Sequence, residues 1–121
     1  MGRQNPVYII DLGNAERSLT GPISAQSTSA SPVTMIPAGA AGIYNDIITL
    51  IFTNETNINT VVVVSDGTIT YRYAISPYGG GVFNFLTPLP ASNSATAWTF
   101  SNTAAATIDC VGTYAINADP N

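Results

Sequence analysis

Residues Thr60–Ile75 read TVVVVSDGTITYRYAI, two β-prone runs joined by Asp66-Gly67. Asp-Gly in that setting is a strong short-range signal for a two-residue type I′ hairpin turn, because both central positions need positive φ. Such a turn sets a register. Val64 faces Ile69, Val62 faces Tyr71 and Thr60 faces Tyr73 on one face, with Ser65 opposite Thr68; Val63 faces Thr70 and Val61 faces Arg72 on the other. The first face is apolar and the second mixed, the pattern of a ribbon with one face on a core.

The same signature recurs on both sides of this hairpin. Strand-like runs at Pro32 to Ile36, Ile47 to Thr53, Gly81 to Leu86, Ala97 to Ser101, Thr107 to Cys110 and Thr113 to Asn117 are separated by turn-forming stretches. Those stretches are Asn54 to Asn59, Pro77 to Gly80, Pro88 to Asn93 and Asn102 to Ala105. No apolar 3.6-residue period persists for three turns, so little helix is expected. The spacing predicts an all-β fold: an antiparallel β-sandwich of about seven to nine strands. Its expected core is Ile48, Leu50, Phe52, Val62, Val64, Ile69, Tyr71, Phe83, Phe85, Trp98 and Phe100, each on the apolar side of an alternating run.

Residues 1–37 differ in composition from the rest. After a strand candidate at Val7 to Ile10 comes SLTGPISAQSTSASPVT, which buries little apolar surface and suits an extended segment, either a docking arm or a flexible leader. The expected division is therefore an extended N-terminal arm with a strand leading into the sandwich over 1–37, and a β-sandwich domain over 38–121. LIFTNET at 50–56 and WTFSNT at 98–103 echo one another, each ending a strand in an Asn-bearing turn.

Only 8% of the 121 residues are charged, against about 25% in an ordinary domain, and lysine is absent. Sheet edges are commonly protected by charge, lysine above all, so a lysine-free β protein has to cover its edges in another way; packing against partner copies is the simplest. A net charge of −4, with Arg3, Arg17 and Arg72 the only cations, argues against nucleic acid. No stretch approaches the roughly 20 apolar residues of a membrane span, and Val7 to Ile10 is too short for a signal-peptide core, so synthesis in a cytoplasm is expected. Cys110, the single cysteine, sits in an apolar alternation and reads as a small buried side chain.

Chemistry is sparse. The absence of histidine removes the commonest general base and metal ligand. The carboxylates Asp11, Glu16, Asp46, Glu55, Asp66, Asp109 and Asp119 form no Asp-x-Asp cluster, and Asp66 is taken up by its turn. Gly79-Gly80-Gly81 has no lysine after it and opens no helix, so it is no phosphate loop. Tyr71, Tyr73, Tyr78, Phe83, Phe85, Trp98 and Phe100 can be core or a sugar-stacking platform, with Tyr78 the best placed for the surface. Asn54-Glu55-Thr56 matches a glycosylation sequon. The chain is expected to be no enzyme, with no catalytic, cofactor-binding or metal-ligating residue and no cofactor.

From Ile43 onward, IYNDIITLIFTNET, VVVVSDGT, GGGVFNFLTPLP, TAWTF and VGTYAIN resemble small β-sandwich virion proteins of tailed bacteriophages. The resemblance spans about residues 43 to 117 and implies a jelly-roll-like protein that decorates or cements a capsid. The implied partners are the major capsid protein and further copies of the chain, as a trimer or dimer, on the capsid exterior. The alternative is a carbohydrate-binding module of a head fibre or tail attachment.

Overall fold

The computed structural model describes residues 19–118. They form eight strands: β1 (Thr20–Ser27), β2 (Val33–Ile36), β3 (Ile43–Asn54), β4 (Thr60–Ser65), β5 (Thr70–Ile75), β6 (Gly80–Leu89), β7 (Trp98–Asn102) and β8 (Ile108–Ala118). Two four-stranded antiparallel sheets, β1-β8-β3-β6 and β2-β7-β4-β5, make a sandwich in which the chain repeatedly crosses from one sheet to the other. Eight strands connected in this way are a jelly roll. Among the described residues no helix is long and apolar enough to cross a membrane.

The core follows from alternation. β4 and β7 each show a strict buried and half-buried pattern, which puts Val62, Val64, Trp98 and Phe100 inside. Ile23, Met35, Ile36, Leu50, Phe52, Ile75, Ile108 and Cys110 complete the interior. Trp98 is 0% exposed and satisfies its indole by donating from Nε1 to the Asn45 carbonyl at 2.7 Å.

Four expectations need correction. The β4–β5 turn has four residues, not two: Ser65 pairs with Thr70, Val64 with Tyr71, Val63 with Arg72 and Val62 with Tyr73. Gly67 takes positive φ (93°) but Asp66 does not, so the turn cannot be type I′. Instead Asp66 turns its carboxylate inward, where Oδ1 accepts from the amides of Thr68 and Ile69 at 2.9 and 2.8 Å. The shift is an even number of residues, so Tyr71 and Tyr73 keep the core-facing side, while Ile69 lands in the loop, 45% exposed.

In β3 the pairing with β8 goes from Ile47↔Tyr114 to Thr49↔Thr113, so Ile48 is an extra residue, a β-bulge. Inward positions switch there from odd to even. Asn45 and Ile47 are buried before it and Leu50, Phe52 and Asn54 after it, and Ile48 is only half-buried.

The stretch assigned to the arm contains two sandwich strands. β1 pairs with β8 from Thr20↔Ala115 to Ser27↔Ile108, its inward residues being Gly21, Ile23, Ala25 and Ser27. One aliphatic side chain among small residues does not look like a core strand in composition, yet small residues are what the neighbouring Tyr114 ring demands at Gly21. The strand leading in, expected at Pro32 to Ile36, is β2; the Val7 to Ile10 candidate lies outside the described residues. Finally, the two short C-terminal runs are one long strand, β8, which carries through Val111 and Gly112.

Candidate functional site

The strand order leaves β6 at the edge of one sheet and β5 at the edge of the other. Between them the sandwich opens into a cleft of about 210 Å³. Leu50, Phe52, Val62 and Val64 form its floor, Tyr71 and Tyr73 one wall, Phe83 and Phe85 the other, with Leu89 and Arg72 at the rim. The walls arise from alternation in strands that have no outer neighbour among the described residues: Tyr71 and Tyr73 of β5 and Phe83 and Phe85 of β6 point inward but remain half-buried.

The rings are organised as a chain of contacts. Tyr73 meets Phe83 edge-on at 4.8 Å between centroids, Phe83 stacks with Phe85 at 6.4 Å, and Phe83 stands edge-on to Phe52 at 6.2 Å. The Tyr73 hydroxyl donates to the Gly80 carbonyl at 3.3 Å, which ties β5 to β6 at one end. The glycine run is part of this closure. A Cβ on Gly81 would lie 2.7 Å from the Tyr73 ring, so Gly81 is where that ring rests. At the other end, toward Leu89, the tie runs between loops: Asn93 Nδ2, just after β6, donates to Thr68 Oγ1 in the β4–β5 turn at 3.2 Å.

Of the seven aromatic residues considered as core or platform, the structure divides them three ways. Trp98 and Phe100 are core, at 0% and 1% exposure. Tyr71, Tyr73, Phe83 and Phe85 line the cleft. Tyr78 stands apart at 70% exposure with φ 53°, in the turn before β6. The cleft is apolar apart from Arg72 and the tyrosine hydroxyls, so it suits aliphatic or aromatic groups better than a sugar, which needs several polar partners beside each ring.

Polar residues elsewhere are structural. Asn102 is 0% exposed; its Nδ2 donates to Ser27 Oγ at 3.0 Å and the Ala106 carbonyl at 2.8 Å, while Oδ1 accepts from Thr60 Oγ1 at 2.9 Å and the Ala106 amide at 2.7 Å. Asn54 plays the corresponding part at the end of β3. Its Nδ2 donates to the carbonyls of Ile58 and Ser76, and its Oδ1 accepts from the amide and hydroxyl of Thr56. The sequence echo thus marks two buried loop anchors, and Asn54, 1% exposed, is no acceptor for a glycan in the folded chain.

Asp66 links the β4–β5 turn to the loop before β7, its Oδ2 accepting from the Ser92 amide at 2.7 Å. Burial pushes its carboxyl up, but the hydrogen bonds from Ile69, Ser92 and Thr68 outweigh that and hold it down at about 2. Cys110 is fully buried and its thiol is pushed up to about 12 by desolvation, so it is inert in the folded state. Among the described residues no group of three or more His, Cys, Asp or Glu could hold a metal ion.

No protein-family model matches the chain. No curated protein matches it closely either. Among solved structures, the fold is similar to a subunit of Bacillus endospore appendages, described as a novel family of disulfide-linked pili. The likeness has a TM-score of 0.50 at 12% identity and covers 83% of this chain and 87% of that one, which supports the β-sandwich architecture.

Proposed function

We propose that this chain is a non-enzymatic structural subunit of a bacteriophage virion, decorating or cementing the capsid by binding the lattice of the major capsid protein together with copies of itself. The observation that carries this reading is the open flank of the jelly roll: two sheet edges, unpaired among the described residues, enclosing an aromatic cleft, on a chain with no lysine and 8% charge. Exposed edges of this kind are ready for strand addition and, unprotected by charge, are stable against aggregation only when a specific neighbour covers them. The sequence resemblance from Ile43 supplies the virion setting.

One observation favours a second reading within the same class. The pilus subunit of similar fold suggests a filament subunit. Its disulfide linkage could not be reproduced here in the same form, since the single cysteine is buried and un-ionised. A glycan-binding role is the weaker alternative because the cleft offers few polar groups.

Mass spectrometry and cryo-electron microscopy of particles from the cells that make the chain test the proposal. Stoichiometric amounts alongside the major capsid protein, with density outside the shell, are expected. Recovery only in filaments would favour the second reading, and recovery as a particle-free monomer would overturn both.

A further inference from the structure

We propose that the cleft between β5 and β6 is a docking groove for the segment Pro6–Leu12 (PVYIIDL) of a neighbouring copy, inserted as an extra strand. This inference rests on the reading of the chain as a multi-copy subunit. Three observations meet in it.

The first is the shape and chemistry of the groove. It is apolar and flanked by two strands that each have an edge with no partner strand among the described residues. That is the arrangement that strand addition uses: main-chain hydrogen bonds along the edge and alternate side chains in pockets. A cavity of roughly 150 Å³ lined by Leu, Ile and Phe holds benzene. About 210 Å³ therefore has room for two aliphatic side chains.

The second is the segment. Val7 to Ile10 is a β-prone apolar run outside the described residues, and in an extended strand Val7 and Ile9 would share one face. No lysine or arginine lies between Pro6 and Leu12.

The third is where the chain leaves the sandwich. β1 forms the edge of its sheet farthest from β6, and the Leu19 carbonyl still accepts from the Ile116 amide at 2.6 Å. A straight continuation upstream runs past Asn117 and Ala118, off the end of the sheet and away from the chain's own cleft. To fill its own cleft the chain would have to reverse and cross three strand spacings, about 14 Å. Residues 11–19 could span that, at roughly 30 Å when extended, so reach permits either course and direction favours a neighbour.

Two experiments on the full-length chain decide it. In sedimentation velocity across a concentration series, the unmodified chain should associate, and Ile9→Asp should weaken that association at least tenfold. Circular dichroism and Trp98 emission should not change, because the eight strands form without residue 9. In the second, chains carrying Tyr8→Cys, which alternates to the face opposite Val7 and Ile9, are mixed under oxidising conditions with chains carrying Val82→Cys or Leu86→Cys, exposed positions on the outward face of β6. A disulfide between the two kinds of chain is expected with at least one of the pair. Association undiminished by Ile9→Asp would overturn the docking while leaving the multi-copy reading intact. A full-length chain that stays monomeric overturns the docking, and the particle experiment then decides the multi-copy reading by itself. A Tyr8→Cys, Leu86→Cys double variant that closes only within one chain would show that the segment fills its own cleft and overturn docking between copies.

Discussion

The two flanks of this sandwich are closed by different means. On the β1–β2 flank a short connection joins the sheets, and the buried Asn102 reaches across from β7 to Ser27 of β1. Ile23, Met35 and Ile36 seal the space beneath. On the β5–β6 flank the polar ties sit at the two ends, Asn54 to the Ser76 carbonyl and Tyr73 to Gly80 at one and the Ser92 amide to Asp66 at the other, and the gap between them is walled by a row of half-buried rings. A satisfied buried polar network admits one geometry, whereas an apolar wall tolerates many. The fold is thus fixed on one side and left adaptable on the other, and the adaptable side is where binding is proposed.

Trp98→Ala strikes the centre that both flanks share, and should cost about 3–5 kcal/mol in urea unfolding, the range for a buried large aromatic. Asn102→Ala tests the closed flank alone: it removes the side-chain partner of the Ala106 amide and carbonyl and one hydrogen bond each from Thr60 Oγ1 and Ser27 Oγ, and about 3 kcal/mol is expected. On the open flank Phe83→Ala should cost only about 1–2 kcal/mol, since the ring is half-exposed, yet it should weaken self-association more than Asn102→Ala does. Equal stability losses at Asn102 and Phe83 would erase the distinction between the flanks.

Gly67→Val probes the loop joining the fixed and adaptable halves of one sheet. Nothing lies within 4 Å of an added Cβ, so the expected loss of about 1–2 kcal/mol comes from positive φ alone. The smallest effect is in acid. Asp66 titrates at about 2 in the fold against 3.8 for an ordinary aspartate, so its contribution is present above the unfolded pKa and is lost as pH falls between those values. Stability measured over that window should decline, and Asp66→Asn should flatten the part of the decline that this carboxylate causes.

What the sequence made legible was wherever burial and alternation coincide. β4 was bounded at Thr60 and Ser65 because Val62 and Val64 alternate without interruption, and Trp98 and Phe100 were placed inside for the same reason. Ile48 was misassigned because a bulge has no local signature: Ile47 and Ile48 are equally apolar, and only pairing with β8 decides between them. β1 was hidden by its small inward residues, whose burial is dictated by Tyr114, far along the chain. Deletion through residue 30 would therefore remove an edge strand of the sandwich as well as any arm. The cleft was legible only as a set of aromatics; that four of them meet at a gap follows from strand order, which no single stretch encodes.

The pairing of β8 between β1 and β3 has a consequence for how the molecule is made. Thr20 faces Ala115 and Ile43 faces Ala118, so two strands from the first half of the chain find their partner only when the last strand has left the ribosome. Until then β1 has no partner strand in its sheet and the core lacks Ile108 and Cys110, and contacts so distant in sequence form slowly. The growing chain is therefore most exposed to premature association just before its synthesis ends, and a pause in translation downstream of β7 should lower the yield of folded subunit more than the same pause placed upstream of β4.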